Sequence, residues 1–500
     1  MNGRMGDAPG GRPIRSIAIV GGGTAGWMAA AVLARVLNGA CKITLIESAD
    51  IPTVGVGEAT IPPFVDLLAL LGIDQADFVR HTDATYKLGI RFDDWLRPST
   101  RYWHPFGTLG EALNQRPFFH AWHRARADGL EPCLTDHSAC ARLGEAGQFL
   151  GGQAAIDAGV RHALHFDAAL VARYLRAYAT ALGVRRIEAT ITGVDLRDDG
   201  FLEAVRLADD RAEAADLFVD CSGFAALLIG KAMDTGWIDW SDLLPCDTAI
   251  VAPTAAARPR PPFTRAVAQS AGWRWSIPLR GRTGNGYVYC AAATDDEAAE
   301  AEFADTLGAA PTTALRRLRF GAGRRERVWV RNCVAVGLSS GFLEPLESTS
   351  IHLATSSVLA LLDHFPDRDF DPLNMAAYNA AMAEEVDRAR DFILLHYRLS
   401  ARDDSPFWRQ MRATAMPDSL AERVELYRAT GRIRPRPGEL FSDLSWFYVF
   451  EGMGVRPRFF DPLIAALPAA PFAATVRQIA GATAARCDAA QAHDAFLPDR

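Results

Sequence analysis

The sequence predicts an α/β fold in which a Rossmann-like nucleotide-binding domain is interleaved with an antiparallel sheet and followed by a mostly helical C-terminal part. Three observations lead to this prediction. A glycine-rich turn joins a β-branched run to a helical pattern near the N-terminus, short alternating segments fill the middle of the chain, and helical patterns dominate from residue 348 onward. We expect the nucleotide domain and the interleaved substrate region to occupy residues 1–350, with the antiparallel sheet at about 165–300, and a helical region that lines the substrate pocket to occupy 351–500.

The first elements form a βαβ unit. Residues 14–20 are rich in β-branched side chains, residues 27–37 carry apolar side chains at helical spacing, and residues 42–47 are a second β-branched run. A helix at 64–71 and a strand around 86–92 are predicted to follow this unit.

The middle of the chain is predicted to contain one helix and then many short strands. The helix is expected at 166–182, and three strands follow it at 186–195, 201–207 and 215–221, separated by turns rich in Asp and Gly. Short alternating segments continue between 247 and 291, as expected of an antiparallel sheet.

The last third returns to the nucleotide domain before it becomes helical. A strand is predicted at 327–336, directly before Gly337, and a long helical pattern covers 373–399. The order of elements therefore predicts two interleaved units rather than two consecutive ones.

The composition is that of a large globular protein that does not bind nucleic acid. Of 500 residues, 49% are hydrophobic and 23% are charged, and the mean hydropathy is +0.00. The 53 basic and 60 acidic residues give a net charge of −7, and no long basic run is present that could bind a phosphate backbone.

The cysteines and the N-terminus favour a cytoplasmic location. The eight cysteines are scattered, with no CxxC pair and no Cys/His cluster at metal-ligand spacing, so we expect reduced thiols and no metal site. Residues 1–16 lack the apolar core of a signal peptide, and the apolar stretch at 17–37 is interrupted by three consecutive glycines, so no membrane span is expected.

The turn between the first predicted strand and helix matches a dinucleotide-binding fingerprint. Residues 21–26 read Gly-Gly-Gly-Thr-Ala-Gly and satisfy the pattern GxGxxG. Glycines there allow a tight turn and close approach of a pyrophosphate, whose charge the helix N-terminus stabilises. Glu47 ends the second strand, where its carboxylate can accept hydrogen bonds from ribose hydroxyls. A purely structural turn is the alternative interpretation.

Two later segments repeat the pattern of a strand followed by glycine. Residues 216–223 end in Ser-Gly, and residues 332–339 pass through Gly337. Three such junctions suit one long ligand such as FAD, whereas an NAD site usually needs only the first. Because glycine often follows a strand, neither later segment would indicate a cofactor alone.

Six motifs are distributed over most of the chain. They are Gly-Gly-Gly-Thr-Ala-Gly-Trp at 21–27, Val-Gly-Val-Gly-Glu-Ala-Thr at 54–60, Lys87, His-Phe-Asp-Ala at 165–168, Trp-Arg-Trp-Ser-Ile-Pro at 273–278, and Gly-Phe-Leu-Glu-Pro-Leu-Glu-Ser-Thr at 341–349. Together they resemble the flavin-dependent halogenases, the tryptophan-halogenase-like family. The Trp-x-Trp-x-Ile-Pro element is the specific one, because flavin hydroxylases of similar fold lack it. The resemblance implies an FAD domain of the GR2-type flavin monooxygenase-like class.

The resemblance implies an oxidoreductase that halogenates an aromatic ring. Such an enzyme uses FADH2, O2 and chloride or bromide to make hypohalous acid, which passes through a tunnel to an electron-rich, indole-type substrate. Lys87 would carry the halogen as a haloamine or hydrogen-bond the hypohalous acid. Only three of the 53 basic residues are lysines, which singles out Lys87; a solvated strand lysine is the alternative.

The resemblance also implies a catalytic carboxylate and a halide site in one motif. Glu347 would stabilise the cationic ring or take its proton, and Glu344, three residues earlier, is the rival. The backbone N–H groups of Thr349 and Ser350 would hold the halide at a predicted helix start. Many relatives have glycine where this chain has Ser350.

The resemblance also implies the remaining site residues, in these motifs and in other segments. FAD is expected to contact Gly21, Gly23, Thr24, Ala25, Gly26, Glu47, Val56, Ala59, Gly337, Leu338 and Ile351. The substrate pocket and tunnel are expected to include Trp273, Trp275, Ile277, Pro278, His104, Phe106, Trp446 and Phe447. Within this set the Trp-x-Trp-x-Ile-Pro residues are interpreted as a wall between flavin and substrate. Core packing is the alternative, because residues i and i+2 of a strand share a face.

One segment departs from the family members that act on free tryptophan. Between Tyr427 and Trp446 the chain lacks their longer Tyr/Glu/Phe-rich segment, which holds the carboxylate and ammonium of the amino acid. This departure favours indole, another indole derivative or a larger aromatic as the substrate.

The resemblance implies a partner enzyme and leaves alternatives open. A separate NAD(P)H-dependent flavin reductase is expected to supply FADH2, because no second nucleotide-binding fingerprint is present. An FAD-dependent aromatic monooxygenase that hydroxylates the ring is the alternative enzyme, and a non-catalytic FAD-binding protein is a third class. The ring position, the halide preference and the choice between a monomer and a homodimer stay open.

Overall fold

The computed structural model describes residues 11–49, 57–434, 436 and 438–498. Within them the strands, β1 to β24 in chain order, are Ser16–Val20, Lys42–Glu47, Gly57–Ala59, Thr85–Lys87, Gly89–Asp93, Arg101–Pro105, Gln148–Phe149, Ala163–Asp167, Arg185–Glu188, Ile191–Leu196, Leu202–Leu207, Ala212–Ala214, Leu217–Asp220, Trp237–Asp239, Thr248–Ala255, Thr264–Gln269, Gly272–Pro278, Arg282–Tyr289, Arg316–Arg319, Gly323–Arg325, Trp329–Val330, Cys333–Ala335, Gly341–Phe342 and Gln491–Ala492.

The helices fill the ends of the chain and the connections between strands. The α-helices, α1 to α16 in chain order, are Thr24–Leu37, Pro63–Leu71, Gln75–His81, Phe118–Ala127, Leu134–His137, Ala139–Ala146, Gly152–Asp157, Ala168–Ala181, Asp296–Thr306, Ser350–Asp363, Pro372–Arg398, Pro406–Ala413, Asp418–Thr430, Asp443–Gly452, Pro462–Ala465 and Ala469–Arg486. Short 3₁₀ segments lie at Gly223–Ala225, Gly337–Ser339, Pro345–Glu347 and His493–Phe496, and a π-helix lies at Leu227–Ala232.

The nucleotide domain is built on a six-stranded sheet in the order β21-β22-β13-β1-β2-β9. All neighbouring strands are parallel except β21 and β22. The two faces of β1 enter different cores, because side chains alternate along a strand. Ile17 and Ile19 pack in the core that contains α1, whereas Ala18 and Val20 pack in a second core on the other face.

The second layer is a seven-stranded sheet in the order β19-β15-β18-β17-β16-β5-β6. Its neighbouring strands are antiparallel except β16 and β5. A small antiparallel sheet, β3-β8-β4, lies against it through contacts of β3 with β17 and β18. The interleaved α/β fold predicted from the sequence is confirmed. Three strands of the larger sheet lie outside the range 165–300 in which the sequence places it, namely β5, β6 and β19. The division at residue 350 stays a prediction.

The strand predicted around 86–92 is two strands in different sheets. The break falls at Leu88, whose N–H donates to the carbonyl of Pro262 at 2.7 Å and whose carbonyl accepts from the N–H of Phe106 at 2.8 Å. These long-range bonds replace the pairing that would continue one strand. The chain therefore passes from the small sheet into the large one directly after Lys87.

The helix predicted at 166–182 begins slightly later, at Ala168. Asp167 caps α8, because its carboxylate accepts from the N–H groups of Ala169 and Leu170 at 3.0 and 3.1 Å. The residues before this cap form β8, the central strand of the small sheet. C-terminal to Thr349 the described chain is mostly helical, as predicted, and no helix among the described residues is both long and apolar enough to cross a bilayer.

Candidate active site

Three strand-to-glycine junctions meet at the carboxyl ends of neighbouring strands β22, β13 and β1. Gly21 has φ +112°, and a Cβ there would lie 2.2 Å from the carbonyl oxygen of Cys221 in the second junction. Gly337 has φ +75°, and a Cβ there would lie 2.9 Å from the Cβ of Ala25. Glycine is needed at both positions because of the backbone conformation and the close approach. The fold thus brings together the three junctions that the sequence pattern singled out.

The N-terminus of α1 is open and suits a phosphate. Gly23 is the residue before the helix, a Cβ at this position would meet no atom within 4 Å, and no side chain caps the helix. The first turn contains no acidic residue. Unpaired N–H groups and the helix dipole favour an anion there, so these residues fit the pyrophosphate of a dinucleotide.

Glu47 ends β2 beside this turn, and its carboxylate is already engaged by protein donors. Arg186 Nε donates to Oε1 at 2.5 Å, and Trp27 Nε1 donates to Oε2 at 3.1 Å. Each carboxylate oxygen can accept a further bond, so a ribose contact at Glu47 stays a prediction. Of the other predicted FAD contacts, Ala59 lies in β3, Leu338 lies in the third junction and Ile351 lies in the first turn of α10. Val56 lies outside the described residues.

Lys87 is wholly buried at the end of β4. Its Nζ donates to the carbonyl oxygen of Thr60 at 2.8 Å and to Oγ of Ser348 at 2.9 Å, and it lies 5.4 Å from the centre of the Phe106 ring. Burial lowers the pKa of Lys87 to about 7, although Glu347 acts in the opposite direction. An amine in this environment is available in both its charged and its neutral form near neutral pH, and the solvated alternative is excluded.

Glu347 is buried between two histidines. His104 Nδ1 lies 2.9 Å from Oε2 and His396 Nε2 lies 2.9 Å from Oε1. Burial by itself would raise the pKa of Glu347, but the two histidines hold it at about 2. The carboxylate is therefore ionised and available as a proton acceptor.

The rival carboxylate has different surroundings. Glu344 is also buried, and its Oε1 accepts from the hydroxyl of Tyr397 at 2.6 Å. Burial raises the pKa of Glu344 to about 7. No histidine contacts it among the described residues, so the two carboxylates of the motif differ in their charge state.

Ser348 and the start of α10 follow Glu347 directly. Ser348 has φ +59°, an uncommon conformation for a residue other than glycine. Helix α10 begins at Ser350, and no side chain caps it. Thr349 is completely buried and its hydroxyl has no hydrogen-bond partner among the described residues. Open N–H groups at a buried helix N-terminus fit a small anion such as a halide.

The Trp-x-Trp-x-Ile-Pro element forms β17 in the middle of the large sheet. The rings of Trp273 and Trp275 lie 5.9 Å apart, and Trp275 covers Gly286, where a Cβ would lie 2.1 Å from the indole. The hydroxyl of Thr85 donates to the carbonyl oxygen of Pro278 at 2.6 Å. Because Thr85 lies in β4, this bond ties the tryptophan strand to the strand that carries Lys87. Ile277 shares the buried face of the two tryptophans.

Aromatic rings surround His104 on the side away from the nucleotide sheet. Three rings have their centres 5.7 to 6.3 Å from that of His104. They are Phe392 in α11, Phe441 just before α14 and Tyr448 in α14. Phe392 also stacks on Phe441 and touches the edge of Trp446. We call the rings of Phe392, Phe441 and Tyr448 the aromatic wall. Trp446 contacts this wall through Phe392.

Phe447 belongs to a different cluster. Its ring packs against Phe119, Trp122 and His123, with ring centres 5.5 to 6.0 Å away. Consecutive residues of a helix point in different directions, so Tyr448 rather than Phe447 reaches His104. The structure therefore does not bring Phe447 together with His104, and a substrate contact of Phe447 stays a prediction.

Four residues near Lys87 and Glu347 are not predicted from the sequence. They are Ser348, Tyr102, Phe392 and His396. Ser348 lies within a recognised motif, and its neighbours could have indicated it. His396 and Phe392 lie in an ordinary helical pattern, and only the packing of α11 against β6 reveals them.

No group of three His, Cys, Asp or Glu side chains that could hold a metal occurs in the described parts of the chain. The residues gathered here instead offer an open helix N-terminus for a dinucleotide, a second for a small anion, and a buried lysine near a buried carboxylate.

The chain is similar to several known halogenases. A family model for tryptophan halogenase matches residues 16–469. A tryptophan 6-halogenase from Streptomyces albogriseolus is 38% identical over 503 residues, covering 91% of this chain and 92% of that protein. A tryptophan 7-halogenase from Lentzea aerocolonigenes is 37% identical, covering 91% and 93%. The structure of a flavin-dependent halogenase from Xanthomonas campestris superposes with a TM-score of 0.94 at 41% identity, covering 97% of this chain and 98% of that one.

Proposed function

This chain belongs to the tryptophan halogenase family, and from that premise we propose that it chlorinates or brominates an electron-rich, indole-type aromatic ring through Lys87. It is a flavin-dependent halogenase, an enzyme that uses FADH2, O2 and a halide. When bound, the reduced flavin supplies the electrons with which O2 and the halide form hypohalous acid. A separate NAD(P)H-dependent reductase supplies FADH2 in this proposal. The observation that carries the proposal is the burial of Lys87 beside Glu347 and the aromatic wall.

Lys87 holds and activates the oxidant in the proposed reaction. Its Nζ keeps one direction for a third partner, because Thr60 and Ser348 accept two of the three N–H bonds of an ammonium. An ammonium can donate to hypohalous acid, and the neutral amine can exchange a proton for the halogen with release of water. Both routes deliver an electrophilic halogen at the same place.

Glu347 completes the substitution at the ring carbon. The aromatic ring donates an electron pair to the halogen. On the hypohalous acid route the O–halogen bond breaks, and the oxygen takes a proton from the Lys87 ammonium and leaves as water. On the haloamine route the N–halogen bond breaks, and the nitrogen of Lys87 takes a proton from solvent and returns to the amine. The resulting ring cation loses its proton to Glu347, and the C–H electron pair restores the aromatic system. The ionised state of this carboxylate supports the role of proton acceptor. His104 holds one carboxylate oxygen in place and contacts the aromatic wall on its other side.

We propose that the remaining predicted contacts act around this centre. The N-termini of α1 and α10 bind the pyrophosphate and the halide, the latter through Thr349 and Ser350. The bulky side chains of β17 separate the flavin from the organic substrate, so that the ring meets hypohalous acid and not the cofactor. Phe392, Phe441 and Tyr448 offer faces on which an indole can stack.

Turnover with bromide tests the proposed reaction. The chain with FAD, a flavin reductase, NADH, sodium bromide and indole is expected to give a product whose mass spectrum shows the two bromine isotopes in nearly equal amounts. The same mixture without halide is expected to give no product, because hypohalous acid cannot form. A product that gains one oxygen instead would identify a hydroxylase. Parallel reactions with free tryptophan, phenols and pyrroles and with chloride define the substrate and halide range.

A substitution at Gly23 tests the cofactor site without relying on activity. In Gly23→Asp a carboxylate occupies the open cap of α1, so it stabilises the helix by about a few tenths of a kcal/mol but repels a pyrophosphate. The affinity for FAD is expected to fall about 10- to 100-fold, while the melting temperature of the FAD-free protein does not fall. Quenching of FAD fluorescence and a thermal melt measure the two effects. Gly23→Asn is the matched control, since it has the size of Asp without the charge, and the difference in affinity between the two variants measures the electrostatic repulsion. Unchanged affinity in Gly23→Asp would place the dinucleotide elsewhere.

A further inference from the structure

His396 contacts Oε1 of Glu347 and has no role in the reaction proposed above. The imidazole is fully buried in α11, and its Nε2 lies 2.9 Å from Oε1 of Glu347. Its other nitrogen, Nδ1, lies 2.6 Å from the hydroxyl of Tyr102 in β6. The other carboxylate oxygen of Glu347, Oε2, contacts His104, whose ring lies beside the aromatic wall. The carboxylate is therefore held from two sides by different elements of the fold.

The ring of His396 is held in one orientation by its aromatic neighbours. Phe92 of β5 stacks on it with ring centres 4.7 Å apart, and Phe92 stacks in turn on Tyr102 at 4.6 Å. The edges of Trp95 and Phe392 close the remaining sides at 5.9 and 5.5 Å. A ring packed in this way cannot turn its nitrogens away from both polar partners without breaking these contacts.

The two polar partners of His396 decide where its proton lies. An ionised carboxylate only accepts hydrogen bonds, so the nitrogen that faces Glu347 must carry the proton. The hydroxyl of Tyr102 can then donate to the other nitrogen, which has a free lone pair in the neutral ring. Burial raises the pKa of Tyr102 well above its usual value and lowers that of His396, and both directions favour this arrangement.

We propose that His396 is a positioning residue for Glu347: it donates Nε2–H to the carboxylate and so keeps it ionised and correctly oriented, while Tyr102 fixes the tautomer of the imidazole. The proposal rests on the function proposed above, because it assumes that Glu347 accepts the proton of the ring. It assigns Oε1 to His396 alone, and it assigns the uptake of the ring proton to Oε2, which His104 also holds. A residue that hydrogen-bonds a reacting group commonly fixes the orientation of that group.

The charge of Glu347 depends on groups from three elements that pack against it. Lys87 of β4 and Tyr102 of β6 interact with it electrostatically, and His104 of β6 and His396 of α11 each contact one of its oxygens. Burial raises the pKa of Glu347, and His104 and His396 lower it. When His396 is removed, only one histidine still lowers this pKa, so it is expected to rise toward the working pH range. The variant would then lose activity on the acid side and recover it as the pH increases.

Three variants measured over a range of pH test the proposal. For His396→Leu, kcat relative to wild type is expected to fall about 100-fold near pH 6 and to recover about 10-fold or more by about pH 9. His396→Gln keeps an N–H donor and is expected to stay within about 5-fold of wild type with a flat ratio. Tyr102→Phe is expected to lie between the two. The ratio to wild type isolates the part of the pH dependence that each substitution changes.

A second histidine–tyrosine pair provides matched controls. His123 is buried, and its Nε2 lies 3.0 Å from the hydroxyl of Tyr427, with no contact to Glu347. The variants His123→Leu and Tyr427→Phe remove the same chemical groups from a similar environment. Loss of stability by itself would therefore affect both sets of variants, whereas the pH-dependent loss is expected only at His396 and Tyr102.

Infrared spectroscopy gives a readout that does not require activity. At neutral pH, His396→Leu is expected to show one protonated-carboxyl band in addition to those of wild type, and this additional band is expected to disappear when Glu347→Gln is added. Absence of this band together with a flat pH ratio in His396→Leu overturns the proposal, as does a loss of equal size in His123→Leu. If wild type makes no halogenated product, the proposed function fails, and the infrared band still shows whether His396 controls the charge of Glu347.

Discussion

The variant Lys87→Met is expected to lose aromatic halogenation by more than about 1,000-fold while it still reoxidises reduced flavin with O2. Methionine is similar in length to the lysine stem and suits a site with no solvent exposure. It has no nitrogen that could donate to hypohalous acid or carry a halogen. The oxidant would then form and diffuse away unused, so reoxidation of the flavin would continue without halogenation of the ring.

The measurement compares two products of the same reaction mixture. Mass spectrometry measures the halogenated ring, and oxygen consumption measures the reoxidation of the flavin. Lys42→Met is the matched control, because Lys42 is exposed at the start of β2 and is expected to behave as wild type. Lys87→Arg is not expected to restore activity, since a guanidinium is larger and does not lose its proton. Retained halogenation in Lys87→Met would contradict the role of this residue.

The pH dependence distinguishes the two roles that Lys87 could have. Because the pKa of Lys87 lies at about 7, the neutral amine becomes more abundant as the pH rises through neutrality. A haloamine route requires the neutral amine, so its rate rises across this range. A route through hydrogen-bonded hypohalous acid requires the ammonium, so its rate falls. Single-turnover halogenation with added hypobromous acid between about pH 6 and pH 8 measures this directly.

Replacement of Glu347 by glutamine is expected to lower kcat for halogenation by about 100- to 10,000-fold with little change in KM. The amide keeps the shape of the carboxyl group, but it cannot accept the proton of the ring and has no negative charge to stabilise the ring cation. A kinetic isotope effect with deuterium at the reacting carbon is expected to appear in this variant, because loss of the proton becomes slow. Product formation and the isotope effect are measured by mass spectrometry.

Glu344→Gln is the matched comparison for this prediction. The two carboxylates lie in one motif, are buried to the same extent and differ in their partners. Glutamine at 344 can still accept from Tyr397, so activity is expected to fall by less than about 10-fold. If instead Glu344→Gln caused the large loss and Glu347→Gln the small one, the assignment of the catalytic carboxylate would be reversed.

The candidate site could be predicted from the sequence only where its residues form local patterns. The glycine turn at 21–26 needs only a strand, tight backbone conformations and a helix in succession, and all of these are encoded by adjacent residues. Lys87 and Glu347 were identified because they lie in motifs that resemble a known family. Phe447 was placed at the pocket for the same reason, and the rotation of α14 directs Tyr448, rather than Phe447, toward His104.

The tertiary structure determined which groups surround those two residues. Tyr102 and His396 are 294 positions apart, and neither lies in a motif. The break of the predicted strand at Leu88 likewise depends on bonds to Pro262 and Phe106. Such contacts have no local signature, because any helix with the same apolar pattern could present a histidine at this position.

By itself, the sequence predicted the class of the fold and the glycine turn, and through its resemblance to a family it singled out Lys87 and Glu347 as candidates. Periodicity and turn chemistry act between neighbouring residues, so they can be read along the chain. Only the tertiary structure decided that the amine of Lys87 is buried with a pKa near neutrality and that two histidines keep Glu347 ionised. Charge states depend on burial and on partners within a few ångströms, and those are set by the packing of β4, β6 and α11 against one another.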